Sequence, residues 1–217
     1  MSRPKRILRK KFLVFCEGDT EYNYINGMRT RQGVEISLKP INMQGGGYAH
    51  FLDELKTNGQ TNCLAKFIII DADRLRDDQG ERSNFLELLA YCRRENEKGA
   101  ISCFLIVNSP DFEYVACAHA PSYSNQRTDK FIVESLGMKS LAVFKGKTDI
   151  YDFLNSADRS YGIMLERVKD GSHVIDNQYR ILRQMFDVRI LKTDYREENV
   201  TRRGSNIAEF FDVIDWK

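Results

Sequence analysis

Apolar residues along this chain gather into short continuous runs separated by amphipathic stretches. Lys11–Cys16 is the first run and stops at Glu17-Gly18. Leu64–Ile70, with Phe67-Ile68-Ile69-Ile70 in succession, is the second, and Ile101–Val107 is the third. Continuous runs of strand length fit strands covered on both faces, as in parallel sheets, whereas a half-wet strand alternates. Val34–Asn42 alternates weakly and predicts a fourth strand. Helical stretches lie between. Asp19 or Thr20 can cap a helix reaching Arg29, and Gly45-Gly46-Gly47 breaks the chain ahead of a helix over Tyr48–Lys56. A polar loop, Arg74–Arg82, leads to Ser83 as the cap of a helix that runs to Lys98 and stops at Gly99. Ser109-Pro110 reads as a cap followed by proline at the first helical position.

Strands alternating with helices argue an α/β fold, a mainly parallel sheet flanked by helices, over residues 1–121. After Pro121 the periodicity turns helical: Thr128–Leu136, Thr148–Ala157, Asp158–Val168 and Ser205–Ile214. Residues 122–217 are therefore expected as a helical C-terminal extension packed on the same core, in one compact unit.

The length of 217 residues suits one domain that buries a core without disulfide or zinc staples. Lys+Arg number 33 against 31 Asp+Glu, a formal net charge of +2, which excludes a polybasic histone-like protein. A nucleic-acid enzyme stays open, because only the field at the site must match the ligand. No apolar run approaches the roughly 20 residues of a membrane span. The basic start (Arg3, Lys5, Arg6, Arg9, Lys10, Lys11) precedes an apolar stretch too short for a signal peptide. The five cysteines are odd in number with no CxxC spacing, and read as buried reduced thiols of a cytoplasmic protein. The three histidines fit no zinc motif.

Acidic residues recur at one topological position. Glu17 follows the first strand, Asp71 and Asp73 end the second run, and Asp111 and Glu113 follow the third. The carboxyl ends of parallel strands share one edge, where open sheets bind ligands. Asp71 and Asp73, at i and i+2 of an extended segment, can face one side. Carboxylates gathered there repel unless protonated or neutralised by a cation, and Mg²⁺ or Mn²⁺ takes oxygen ligands. Acids after strands also serve as helix caps or first-turn charges, a reading that stays open for Asp19, Glu21 and Asp111.

Glu-Gly after one strand and DxD after another, here Glu17-Gly18 and Asp71-Ala72-Asp73, resemble the Toprim signature of topoisomerases, bacterial primases and several nucleases. More narrowly, Cys16-Glu17-Gly18-Asp19-Thr20-Glu21-Tyr22-Asn23-Tyr24 resembles the opening of the RloB-like proteins, a Toprim group linked to phage defence. The Arg-containing acidic stretch Asp71–Asp78, and Asn108-Ser109-Pro110-Asp111-Phe112-Glu113 followed by His119, resemble that family's later segments. The Asn-Ser order departs from the family's Ser-Asn, and Val115 stands where an aromatic is common.

The resemblance implies a metal-dependent nuclease, cutting phosphodiester bonds in DNA or RNA as a phage-defence (abortive-infection) effector. It implies one or two Mg²⁺ or Mn²⁺ ions held by Asp71, Asp73, Glu17, Glu113 and Glu21, with Glu17 also as general acid or base. Lys145 and Lys147 enter by resemblance as cations for the reacting phosphate, against the plainer reading of a solvated basic loop. His119, Arg74 and Asp111 would contact substrate, although His119 reads equally as a packed helix residue. Basic residues Arg180, Arg183, Arg189, Arg202 and Arg203, with Tyr179 and Tyr195 nearby, offer a surface for nucleic acid. Partners implied are nucleic acid and an ATPase or other defence-system protein. A homo-oligomer is admitted, and no membrane is involved. The competing reading is a non-catalytic Toprim module that binds nucleic acid or a partner.

Overall fold

The computed structural model describes residues 11–31, 37–57, 63–182 and 187–214. The expected strand start at Val34 and the basic residues Arg3, Lys5, Arg6, Arg9, Lys10 and Arg183 lie outside the described residues. Four parallel strands form the centre: β1 (Lys11–Cys16), β2 (Ser37–Asn42), β3 (Ala65–Asp71) and β4 (Ser102–Ser109). They stand in the order β2-β1-β3-β4.

From β1 the chain steps outward to β2, then returns past β1 to β3 and on to β4. Crossovers between parallel strands are right-handed, so reversing direction sends the helices to opposite faces. On one face α1 (Asp19–Arg31) packs Tyr24, Ile25 and Met28 on Phe12, Val14, Phe67 and Ile69. On the other, α2 (Gly47–Thr57) and α4 (Gln79–Lys98) pack Phe51, Leu55, Phe85 and Leu88 on Leu13, Phe15, Ile68 and Ile70. Alternate residues of one continuous apolar run thus feed two cores, which is why the run does not alternate.

Two starts differ from expectation. The supposed loop Arg74–Arg82 contains a short helix, α3 (Asp73–Asp77), and α4 begins four residues before Ser83. Asp78 is its cap, accepting from Gly80 N at 2.8 Å and Glu81 N at 3.1 Å. Its far end closes at Gly99 in the left-handed conformation, as expected. Ser109 stays in β4, and Asp111 caps α5 (Phe112–Ala118).

Beyond Pro121 the extension is not purely helical. The helices are α6 (Thr128–Glu134), α7 (Leu141–Lys145), α8 (Ile150–Leu154), α9 (Tyr161–Lys169) and α10 (Ile207–Ile214). Between α9 and α10 stands an antiparallel hairpin, β5 (Ile175–Leu182) and β6 (Asp187–Tyr195), then the two-residue strand β7 (Gly204–Ser205). The pairing shifts by one residue between Gln178 and Tyr179, which leaves Leu191 as an extra residue on β6. Val188 and Ile190 point inward before the bulge and Thr193 after it, while Leu191 is 67% exposed. That slip breaks the period-two pattern and hides the strand in the sequence.

Most of the outer edge of β4 is closed by side chains. Asn206 accepts from Val107 N at 2.8 Å and donates to Leu105 O at 3.0 Å, as a neighbouring strand's amide would. Asn177 of the hairpin also donates to Leu105 O at 3.1 Å. β7 pairs antiparallel with Asn108 and Ser109. All five cysteines are free thiols, Cys63 half-buried and the rest buried. Among the described residues no helix is long and apolar enough to cross a membrane.

Candidate functional site

The reversal of direction falls between β1 and β3, and open parallel sheets bind ligands beyond the carboxyl ends of strands at such a point. Glu17 follows β1 directly, and Asp71 closes β3. The two meet there: Asp71 N–H donates to Glu17 Oε2 at 2.8 Å. The pleat turns Asp71 with Phe67 and Ile69 toward the α1 face. Burial, reinforced by the charges of Glu21, Glu17, Glu113 and Asp111, holds the Asp71 carboxyl well above the usual range. Four of the acids singled out in the sequence therefore press on a fifth.

Glu21 is 4% exposed. Burial, with Glu17 and Glu113 adding, pushes it up to about 7. Its Oε2 accepts from Gly18 N at 3.2 Å, and Tyr22 N donates to Gly18 O at 3.2 Å. Gly18 therefore holds the cap position, and Glu21 supplies the returning half of a capping box. The cap falls one residue before Asp19 and two before Thr20, the expected positions. Asp19 accepts from Asn42 Nδ2 at 2.5 Å instead.

Asp111 serves as a cap, accepting from Tyr114 N at 3.1 Å, and the Ser109–Pro110 bond before it is cis. Burial and the neighbouring Glu113 raise it to about 6. Glu113 is buried and lies 3.1 Å from Lys145 Nζ. Burial works against the Lys145 ammonium, but Glu113, Asp71 and Asp111 outweigh it and raise its pKa.

Asp73 does not share a side with Asp71. Extended geometry ends at Asp71: Ala72 has φ −94° and ψ 0°, and Asp73 opens α3 in an exposed position. Its charge bears on Glu17. Burial raises Glu17, the Asp71 N–H lowers it, Asp73 and Glu81 raise it, and Arg74 lowers it. Arg74 Nε stands 3.9 Å from Glu17 Oε1, so this arginine is at the acidic edge. The Gly45-Gly46-Gly47 break forms a turn with φ of +79°, +92° and +73°, and Gly45 N donates to Glu17 O at 2.8 Å.

Two expected substrate groups are engaged elsewhere. Lys147 pairs with Asp149 at 2.8 Å and lies 5.1 Å over the Phe153 ring. His119 is fully buried. Its Nδ1 lies 3.0 Å from Val115 O, which can only accept, so Nδ1 carries the proton and Nε2 accepts from Tyr24 O–H at 2.8 Å. Burial lowers its pKa to about 4, so the ring is neutral and braces α5 against α1. Of the expected basic surface, Arg189 is bound to Asp187 at 2.9 Å, and the Tyr179 hydroxyl donates to Asp212 at 2.8 Å.

Sequence reasoning missed the groups that aim Asp71. Asn108 Nδ2 donates to Asp71 Oδ1 at 3.2 Å, and Asn108 Oδ1 accepts from Ser205 Oγ at 2.8 Å. Tyr48 O–H donates to the Asp71 carbonyl at 2.5 Å. A polar residue closing a buried strand was the one signal for Asn108, which pairs with Asp71 in register.

The donor set is all carboxylate oxygen, which suits Mg²⁺ or Mn²⁺. Among the described residues no three such side chains are grouped closely enough to hold an ion as they stand. Glu17, Glu21 and Glu113 each turn to a donor of the chain itself. The chemistry of the set therefore fits, while binding would require those side chains to exchange their present partners. No protein-family model, curated protein or solved structure matches this chain.

Proposed function

We propose that this chain is a metal-dependent nuclease of the Toprim, RloB-like type, hydrolysing phosphodiester bonds in DNA or RNA as a phage-defence effector. The observation that carries the reading is the placing of Glu17, Glu21, Asp111 and Glu113 around Asp71 at the carboxyl edge of the sheet, near enough for all four charges to act on it. Natural folds keep such costly repulsion mainly where a ligand or a reaction uses it. Asp71 and Glu17 would hold the ion, with Glu21 and Glu113 beside them. When bound, Mg²⁺ or Mn²⁺ would stabilise charge on the reacting phosphate oxygens.

The remaining roles belong to the chain. Asn108 fixes the direction of the Asp71 carboxylate. Lys145, half-exposed beside Glu113, presents a cation at the edge of the group where a phosphate would approach. Glu21, titrating near 7, can hold or release a proton at neutral pH, a role the sequence placed on Glu17. The test is incubation with labelled single-stranded DNA, duplex DNA and tRNA in Mg²⁺, Mn²⁺ or EDTA, repeated with Asp71→Asn. Cleavage that needs the metal and Asp71 supports the reading; no cleavage of any substrate, or equal cleavage by the variant, refutes it. The non-catalytic module is favoured by one observation, the engagement of Glu17, Glu21 and Glu113 with donors of the chain, and predicts binding without cleavage.

A further inference from the structure

A polar cavity of about 480 Å³ lies between α5, α9 and β7, apart from the acidic group. Arg167 and Arg203 line it with Tyr114, Tyr123, Asn125 and Ser172, and one exposed carboxylate, Asp170, joins them. Both guanidinium groups are held in place by main-chain carbonyls. Arg167 donates to Pro121 O at 2.6 Å and to Tyr123 O. Arg203 donates to Gln126 O at 2.7 Å, to Asn125 O and to the Tyr123 hydroxyl at 3.0 Å. Carbonyls orient a guanidinium without cancelling its charge, and among the described residues neither arginine forms an ion pair. Both cations bear on Tyr114: burial raises its hydroxyl, and Arg203 and Arg167 draw it down. Two pre-positioned cations facing one cavity suit an anion, because little ordering remains to be done on binding.

The cavity's place in the fold selects among anions. Gly204 and Ser205 pair with Ser109 and Asn108, and Asn108 holds Asp71. β7 and β3 flank β4, so the strand that Arg203 leads into runs about two strand spacings, roughly 10 Å, from the strand that ends in Asp71. α5 carries Glu113 to the acids and Tyr114 to the cavity. Ser172 of the lining is backed closely by β7: a Cβ on Gly204 would lie 2.1 Å from Ser172 O.

We propose that this cavity binds a nucleotide, its phosphate at Arg167 and Arg203 and its sugar or base toward Asn125 and Ser172. It thereby holds a strand whose nearby phosphodiester meets the acidic edge. The choice of a nucleotide over other anions rests on the nuclease reading; the cavity and its charge do not. The test is fluorescence anisotropy of labelled single-stranded DNA and RNA oligonucleotides in EDTA at low salt, with a nucleoside monophosphate and inorganic phosphate as competitors. Arg203→Gln should weaken binding about tenfold, the loss of one charge-assisted hydrogen bond. Ser172→Glu leaves the arginine–carbonyl bonds intact and should weaken binding as much by repulsion, so it decides the matter if Arg203→Gln fails to fold. Asp71→Asn should bind in EDTA at least as tightly as the parent. Competition by the monophosphate identifies the free nucleotide as sufficient; competition by oligonucleotides alone identifies a nucleotide within a strand. Unchanged binding in Ser172→Glu, or no binding of any probe to the parent protein, overturns the proposal. Cleavage with undiminished binding in Ser172→Glu refutes the cavity alone. Binding lost in that variant, with no cleavage by the parent, refutes the nuclease alone.

Discussion

Glu21→Gln should stabilise the protein, and only where Glu21 would be charged. The side chain is 4% exposed and titrates near 7 in the fold against 4.5 ordinarily. At about 1.4 kcal/mol per pH unit, that gap corresponds to roughly 3 kcal/mol. The sign follows from proton counting. Below pH 4.5 the carboxyl is protonated in the folded and unfolded chain alike, and its full contribution is present. Between 4.5 and about 7 the unfolded chain releases the proton while the fold retains it, so stability falls as pH rises. Above that window both are ionised and the fold carries the whole cost of a buried charge among acids. Glutamine is neutral throughout, and its amide oxygen can still accept from Gly18 N. Urea unfolding followed by far-UV circular dichroism in EDTA should give a gain of about 3 kcal/mol above pH 7 with an unchanged slope. The melting midpoint should rise by about 6–12 °C. No gain above pH 7 would refute the argument. An equal gain below pH 4.5 would refute it too, since packing rather than charge would then be responsible.

Lys145→Met strips the ammonium from buried Glu113; because Lys145 is half-exposed and already partly screened, the expected loss is about 1–2 kcal/mol in urea unfolding, and no loss would mean the pair contributes nothing. Tyr24→Phe leaves the buried His119 Nε2 without its donor, at about 1–3 kcal/mol, while metal-dependent cleavage per folded molecule should be unchanged; a selective loss of cleavage would restore His119 to a substrate role. Adding Mg²⁺ should raise the melting midpoint of the parent protein and not that of Asp71→Asn, as binding to the folded state alone requires; an equal rise in both would place the ion elsewhere.

The acidic edge was legible because local sequence sets strand ends. Glu17 and Asp71 terminate runs whose continuous apolar character and strand length fit a doubly covered strand, and parallel strands share their carboxyl edge. Asp73 was misread because the extended period was carried two residues too far, through Ala72 into α3. The bulge at Leu191 concealed the hairpin in the same way, by shifting the register that a period-two reading assumes. His119 shows the other limit: a histidine after a helix looks the same whether it meets solvent or Tyr24.

Hydrophobic periodicity alone determined the α/β class, the parallel sheet and the position of three acidic groups, because these depend on neighbours within a few residues. Tertiary structure decided what those acids meet. Asn108 reaches Asp71 from the next strand and is held by Ser205, 97 residues further on. Lys145 rather than Lys147 faces Glu113, and Arg167 and Arg203 converge on one cavity from separate elements. Such pairings arise from strand order and the packing of distant segments, and the energy between two charges depends on their separation and on the local dielectric, neither of which exists until the fold has placed and buried the partners.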